Sequence, residues 1–301
     1  MSPAVGRVFF SGNQMYKSYG ISLSIKSIYS LSAPFVEGTE CLETIFDLKP
    51  SYIRFLQSIH PQFPIRTDRL FVRDGFEVAA FSQAFSASSI DDLQQEQMVS
   101  ADVDEKIYNL NANLVSLALA EIQNVNLELR QLFDLAIHTV LFCPSGENSE
   151  GRSAHGGSSN KCIGLIWLNL KATTSIRDVV EMLIHELTHT LIFIDELTTA
   201  HFNYGNLAKK PYWALSSILK RQRPMDRVVH SIIVSMKILH ARKTYLPQTN
   251  DPVVIHPKWI SLAANVRNSI ESVLSHPLLD DVCKPRSISF MKTALDQLGA
   301  L

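Results

Sequence analysis

Apolar residues return every three or four positions along much of the chain beyond residue 102. Leu110, Leu114, Leu117, Ile122, Val125, Leu129, Leu132 and Phe133 fall on one stripe, which predicts an amphipathic helix over residues 102–142, or two in series, with His138 near its end. A second helix is predicted over residues 176–196, opened by Ser175 and Asp178 at capping-box spacing. A third follows Pro224 over residues 226–242, where Val228, Val229, Ile232, Ile233, Met236 and Leu239 make a broad apolar face. Shorter helices are predicted over 259–274 and 287–298.

Other stretches read differently. IGLIWLNL, residues 163–170, is a short apolar run between polar flanks and predicts a strand close to the core. Residues 144–160, PSGENSEGRSAHGGSSN, have no periodicity and read as a Gly/Ser-rich surface loop containing His155. Residues 1–38 alternate loosely among four glycines and predict short strands or irregular chain. A helix over 41–47 is expected to be interrupted by Pro50 and followed by another over 52–59, with Pro61 and Pro64 as breakers. Residues 78–85 fit either a helix or a strand, and 91–98 a polar helical turn. The expected fold is mainly α with a minor β component. Residues 1–100 form a mixed N-terminal region suited to substrate recognition, and 101–301 a mainly helical domain that carries the chemistry.

Composition narrows the classes. Of 301 residues 46% are hydrophobic and 19% charged, enough to bury a large core. The 28 basic and 29 acidic residues leave a net charge of −1, which gives no support for a nucleic-acid partner. No apolar run is long enough for a membrane span, and the first twenty residues do not read as a secretory signal. Four dispersed cysteines without a C-x-x-C pair fit reduced thiols and a cytoplasmic setting.

The sharpest chemical signal is EMLIHELTHTLIF, residues 181–193, in which His185, Glu186 and His189 form H-E-x-x-H. On a helix, residues four apart differ by about 40° in direction, so both imidazoles face one metal ion. Glu186 beside them can take a proton from metal-bound water. Burying these groups among Leu183, Ile184, Leu187, Leu191 and Ile192 is costly unless they have partners. A third ligand is required. Glu196 lies on the same face as His189 but about 10.5 Å further along the axis, too far for a shared ion on a straight helix. His201 qualifies if the chain reverses after Thr198. His230, which interrupts the apolar run VVHSIIVSM, is the better candidate if its helix packs against the H-E-x-x-H helix. Arg221, Arg223 and Arg227 cluster ahead of it and suit a carboxylate ligand. Tyr204 and Tyr212 are candidates for the pocket wall. Read as a zinc peptidase, the site uses Glu186 as base and Tyr212 or an arginine at the oxyanion. A metal-containing peptide-binding module without turnover is a further alternative.

H-E-L-T-H at 185–189, the acidic pair Asp195–Glu196, R-x-R-P-x-D-x-V-x-H-S at 221–231 and the strand-like 163–170 together resemble the HExxH-motif proteins of peptide-maturation gene clusters. The resemblance covers about residues 158–245. Some of these proteins are iron(II)/2-oxoglutarate-dependent peptide β-hydroxylases, and others are described as metallopeptidases. It implies His185, His189 and His230 as metal ligands, iron(II) with 2-oxoglutarate as cofactors, Arg223 on the distal carboxylate, and a small precursor peptide as substrate. Zinc(II) is the alternative metal.

Overall fold

A computed structural model describes residues 21–37, 44–85, 103–144, 154–246 and 255–300. The fold is mainly α, with eleven α-helices and two small sheets among the described residues. Its centre is α6 (Ile176–Thr198), the predicted H-E-x-x-H helix. Ser175 opens it as expected: its Oγ accepts from the amide of Asp178 at 3.1 Å, and its own amide donates to the Asp178 carboxylate at 3.1 Å. Val179, Val180, Leu183, Ile184, Leu187, Ile192 and Ile194 are buried almost all round the axis, as befits a helix enclosed by neighbours.

Those neighbours come from the whole chain. α1 (Ile21–Ser32), α4 (Glu105–Val125), α5 (Leu127–Ala136) and α8 (Met225–Thr244) all pack on α6, and α8 in turn packs on α9 (Trp259–Leu274) and α11 (Pro285–Ala300). One contiguous apolar cluster joins Ile28 and Leu56 to Leu183, Val229 and Ile270. The remaining helices, α2 (Leu48–Ile59), α3 (Gly75–Ser82), α7 (Tyr204–Leu207) and α10 (Leu279–Val282), lie around this bundle. None of the described helices is long and apolar enough to cross a membrane.

The larger sheet has the order β1-β3-β2, from Thr139–Phe142, Leu165–Leu168 and Gly156–Ser158. β1 runs parallel to β3, while β2 pairs antiparallel on its other side, Gly156 opposite Leu168 and Ser158 opposite Ile166. The outer side of β1 is met by a single bridge from Phe71 to Val140. Among the described residues β2 is thus an edge strand, and α6 lies against it. β4 (Trp213–Leu215) and β5 (Gln222–Pro224) form a hairpin that leads directly into α8.

Several local expectations are corrected. Residues 21–32 are helical rather than strand-like. Ser24, Ser27 and Ser32 are buried, and Ser32 Oγ bonds back to the Ile28 carbonyl at 2.7 Å, so small polar side chains supply a close-packing face that apolar periodicity misses. Pro50 does not interrupt a helix; it sits in the first turn of α2, where its missing N–H costs nothing. Residues 45–47 are a 3₁₀ turn entering α2. The segment 102–142 is two helices divided at Asn126, whose side chain caps α5, and its last residues leave the helix to form β1. Residues 78–82 belong to a helix capped by Asp74. The 144–160 loop contains β2, a strand with no apolar residue. The expectations for residues 1–20, 41–43 and 91–98 fall outside the described residues.

Candidate metal centre

The one-turn spacing of His185 and His189 on α6 brings their Nε2 atoms within 3.2 Å. Two nitrogens each about 2.0–2.1 Å from one tetrahedral ion stand about 3.3 Å apart, so this pair fits two positions of a single coordination shell. Both residues keep partial access to solvent. Burial of the rings lowers the His185 pKa to about 3, with His256 adding to the effect, and holds that of His189 well below its ordinary value. Both are therefore neutral imidazoles with a lone pair to give, the form a metal requires.

Packing of α6 on α8 delivers His230. Its ring centroid is 5.6 Å from that of His189 and 5.5 Å from Phe193. Its Nε2 does not face the pair but lies 3.3 Å from Glu196 Oε1. As the side chains stand, no group of three or more His, Cys, Asp or Glu donors among the described residues encloses an ion. A third nitrogen is at hand if His230 exchanges Glu196 for the metal. Glu196 also lies 3.5 Å from His201 Nδ1 and accepts from Tyr204, which makes it a basic-residue partner rather than a ligand. His201 is fully buried and turned to Asp195, 2.7 Å from Oδ2. Arg286 also binds that carboxylate, at 2.9 and 3.0 Å, so His201 belongs to a structural hydrogen-bond network around Asp195. His138, bonded to Thr139 and the Ile163 carbonyl, is a core histidine.

Glu186 points to the edge strand. Ser158 Oγ donates to its Oε2 at 2.9 Å, and burial pushes its pKa up to about 8 against that bond. The approach depends on Gly156: a Cβ there would stand 2.9 Å from the Trp167 carbonyl oxygen and 3.3 Å from Glu186 Oε1. The adjoining Gly157 faces the Trp167 indole, where a Cβ would stand 2.6 Å from Nε1.

The arginines divide. Arg223 is half-buried on β5 and Arg227 is exposed on the first turn of α8; the charges of both act on His189. Arg221 is exposed at the end of the hairpin loop, and its carbonyl closes that loop by accepting from Ser216 N at 2.9 Å. Tyr212 is partly buried against the apolar cluster in the turn before β4, and it is Tyr204 that reaches Glu196.

Comparison with protein-family models and with curated proteins finds no match to this chain.

Two groups escaped the sequence reading. Glu181 lies two turns before His189 on the same side of α6, and is wholly buried. Burial opposes its charge, but hydrogen bonds from His256 and Arg242 outweigh it and bring its pKa down to about 2. His256 arrives from the segment before α9, with Nε2 2.9 Å from His185 Nδ1. Glu181 was detectable as the first member of an E-x₃-H-x₃-H stripe. His256 carried no local signal, since its partner is 71 residues earlier.

Proposed function

We propose that the protein is a metal-dependent peptide-modifying enzyme that hydroxylates the β-carbon of a residue in a small ribosomally made precursor peptide, using iron(II) and 2-oxoglutarate. The observation that carries this reading is the presence of two arginines, Arg223 and Arg227, whose charges act on His189, itself 3.2 Å from His185. A dicarboxylate cosubstrate needs a cation for the carboxylate remote from the metal, and a guanidinium offers two parallel N–H bonds for it. Arg223, half-buried at the entrance to α8, suits that task.

His185, His189 and His230 would hold the metal. Iron(II) with 2-oxoglutarate supplies oxidising power from dioxygen, and overall a peptide C–H, O₂ and 2-oxoglutarate give a peptide C–OH, succinate and CO₂. The protein's own groups bind and orient. Arg223 with Arg227 fixes the cosubstrate, and Glu186, braced by Ser158, presents a carboxyl group beside His185 to a peptide lying along β2.

A zinc peptidase is the second reading, in which Glu186, the neighbour of His185 in sequence and held by Ser158, takes a proton from metal-bound water. Arg223 then faces the oxyanion. The test loads the protein anaerobically with iron(II), adds 2-oxoglutarate and records the metal-to-ligand absorption band. Candidate precursor peptides are then followed by intact mass under oxygen. A gain of about 16 Da with matching succinate is expected of hydroxylation. A shortened peptide formed without oxygen or 2-oxoglutarate replaces this reading with the peptidase, and peptide binding without any product leaves a binding module.

A further inference from the structure

We infer that His256 is a positioning residue that fixes the proton of His185 on Nδ1 and so leaves a lone pair on Nε2, on the side of His189. The inference rests on the metal-binding reading of the histidine pair.

It begins at Glu181. Both carboxylate oxygens are taken: Arg242 Nε donates to Oε1 at 2.8 Å and Arg242 Nη2 to Oε2 at 2.7 Å, while Arg177 Nε reaches Oε1 at 3.3 Å. With two guanidinium groups on it, Glu181 is an anion and only accepts. His256 Nδ1 lies 3.2 Å from Oε2, so that nitrogen carries a proton. With that proton on Nδ1, the lone pair of the imidazole is on Nε2, the atom 2.9 Å from His185 Nδ1. The proton of that contact belongs to His185. Its other nitrogen, Nε2, is left unprotonated 3.2 Å from His189 Nε2. One buried carboxylate thus sets a proton two imidazoles away.

The arm carrying His256 is fastened on both sides of it. The amide of Ile255 donates to Asp178 Oδ1 at 3.4 Å, and Arg242 Nη1 donates to the Pro257 carbonyl at 2.8 Å. The His256 and His185 rings have centroids 5.2 Å apart and planes inclined by only 27°, close to the coplanar, end-to-end arrangement that an N–H···N bond between them needs. Arg242 therefore holds both the carboxylate and the chain that bears the imidazole. Partners of this kind behind a ligand histidine are typically worth about 10–100-fold in metal affinity, by fixing its tautomer and ring orientation.

The experiment reads the proton directly. Nitrogen-15 imidazole spectra of the metal-free protein are expected to show His185 protonated on Nδ1 and bare on Nε2. Zinc(II) affinity, measured against a chromogenic chelator, is expected to fall about 10–100-fold in His256→Leu. His256→Gln should restore it to within a few fold, because the amide oxygen accepts from His185 while its NH₂ donates to Glu181. A His185 proton on Nε2 in the wild-type protein overturns the inference, as does an unchanged tautomer in a folded His256→Leu. Should His256→Leu not fold, the wild-type spectrum and the glutamine variant still decide. Wild-type protein that takes up no zinc, with the proton on Nδ1, ends the metal reading and leaves the relay standing.

Discussion

Arg242→Met removes a guanidinium that donates three hydrogen bonds, at 2.8 and 2.7 Å to Glu181 and 2.8 Å to the Pro257 carbonyl. Glu181 stays behind, wholly buried and short of its best partner. Breaking a buried ion pair from one side typically costs about 3–5 kcal/mol. The carboxylate gives a second measure: its pKa falls from 4.5 to about 2 on folding, and at about 1.4 kcal/mol per unit that is about 3 kcal/mol of stability. The sign follows from the direction. A carboxylate with a depressed pKa stabilises the fold above its unfolded value of 4.5, and the contribution fades as pH falls towards about 2. Urea unfolding of both proteins should therefore show a gap of about 3–5 kcal/mol at neutral pH that narrows steadily below about pH 4. Replacing both groups, Glu181→Met with Arg242→Met, should recover most of the loss, since no unpaired charge remains. A neutral-pH gap under about 1 kcal/mol, or one that stays constant into acid, refutes the reasoning.

Three further outcomes are expected. Gly164→Ala should destabilise the fold by about 1–3 kcal/mol in thermal unfolding, because Gly164 has φ +90° and a Cβ would stand 2.6 Å from His138 Cδ2 and 2.7 Å from the Ala136 carbonyl oxygen; an unshifted melting curve counts against the packing there. Glu186→Gln should leave zinc and iron binding intact; hydroxylation persisting in this variant agrees with the oxygenase, whereas loss of peptide cleavage by a factor of about 100 or more is the signature of the peptidase. Arg223→Ala should weaken 2-oxoglutarate binding about 10–100-fold by calorimetry, the cost of a lost charged hydrogen bond, and unaltered binding removes Arg223 from the cosubstrate site.

The legible parts of the fold are those governed by local order. α6 and α8 announce themselves because their apolar faces repeat over several turns, and Ser175 with Asp178 marks where α6 begins. The pairing of His185 with His189 follows from helical spacing alone. α1 was illegible because ISLSIKSIYSLS alternates like a strand; Ser32 is satisfied by the helix's own backbone and Ser27 by Asp195, the latter a contact that exists only in the assembled protein. β2 was illegible for a related reason, since Gly156 and Gly157 are set by closeness to Glu186 and Trp167 rather than by any β preference of their own. His230 was found as an interruption in an apolar face, yet its attachment to Glu196 depends on how two helices rotate against each other. His256 lies beyond any local reading, because a histidine among prolines looks like an ordinary connection until Glu181 is seen opposite it.

Asp195 has a consequence for the order of events during synthesis. It sits on the same helix as the histidine pair, yet its partners are His201 at 2.7 Å, Ser27 of α1 at 3.2 Å and Arg286 of α11 at 2.9 Å. Residue 286 emerges from the ribosome 91 positions after Asp195. Until then Asp195 has His201, six residues on, as a partner but lacks the guanidinium, so the ion pair that fastens this end of α6 is incomplete. The helix that bears His185 and His189 is thus fastened at its far end by a residue of α11, 91 positions further along the chain.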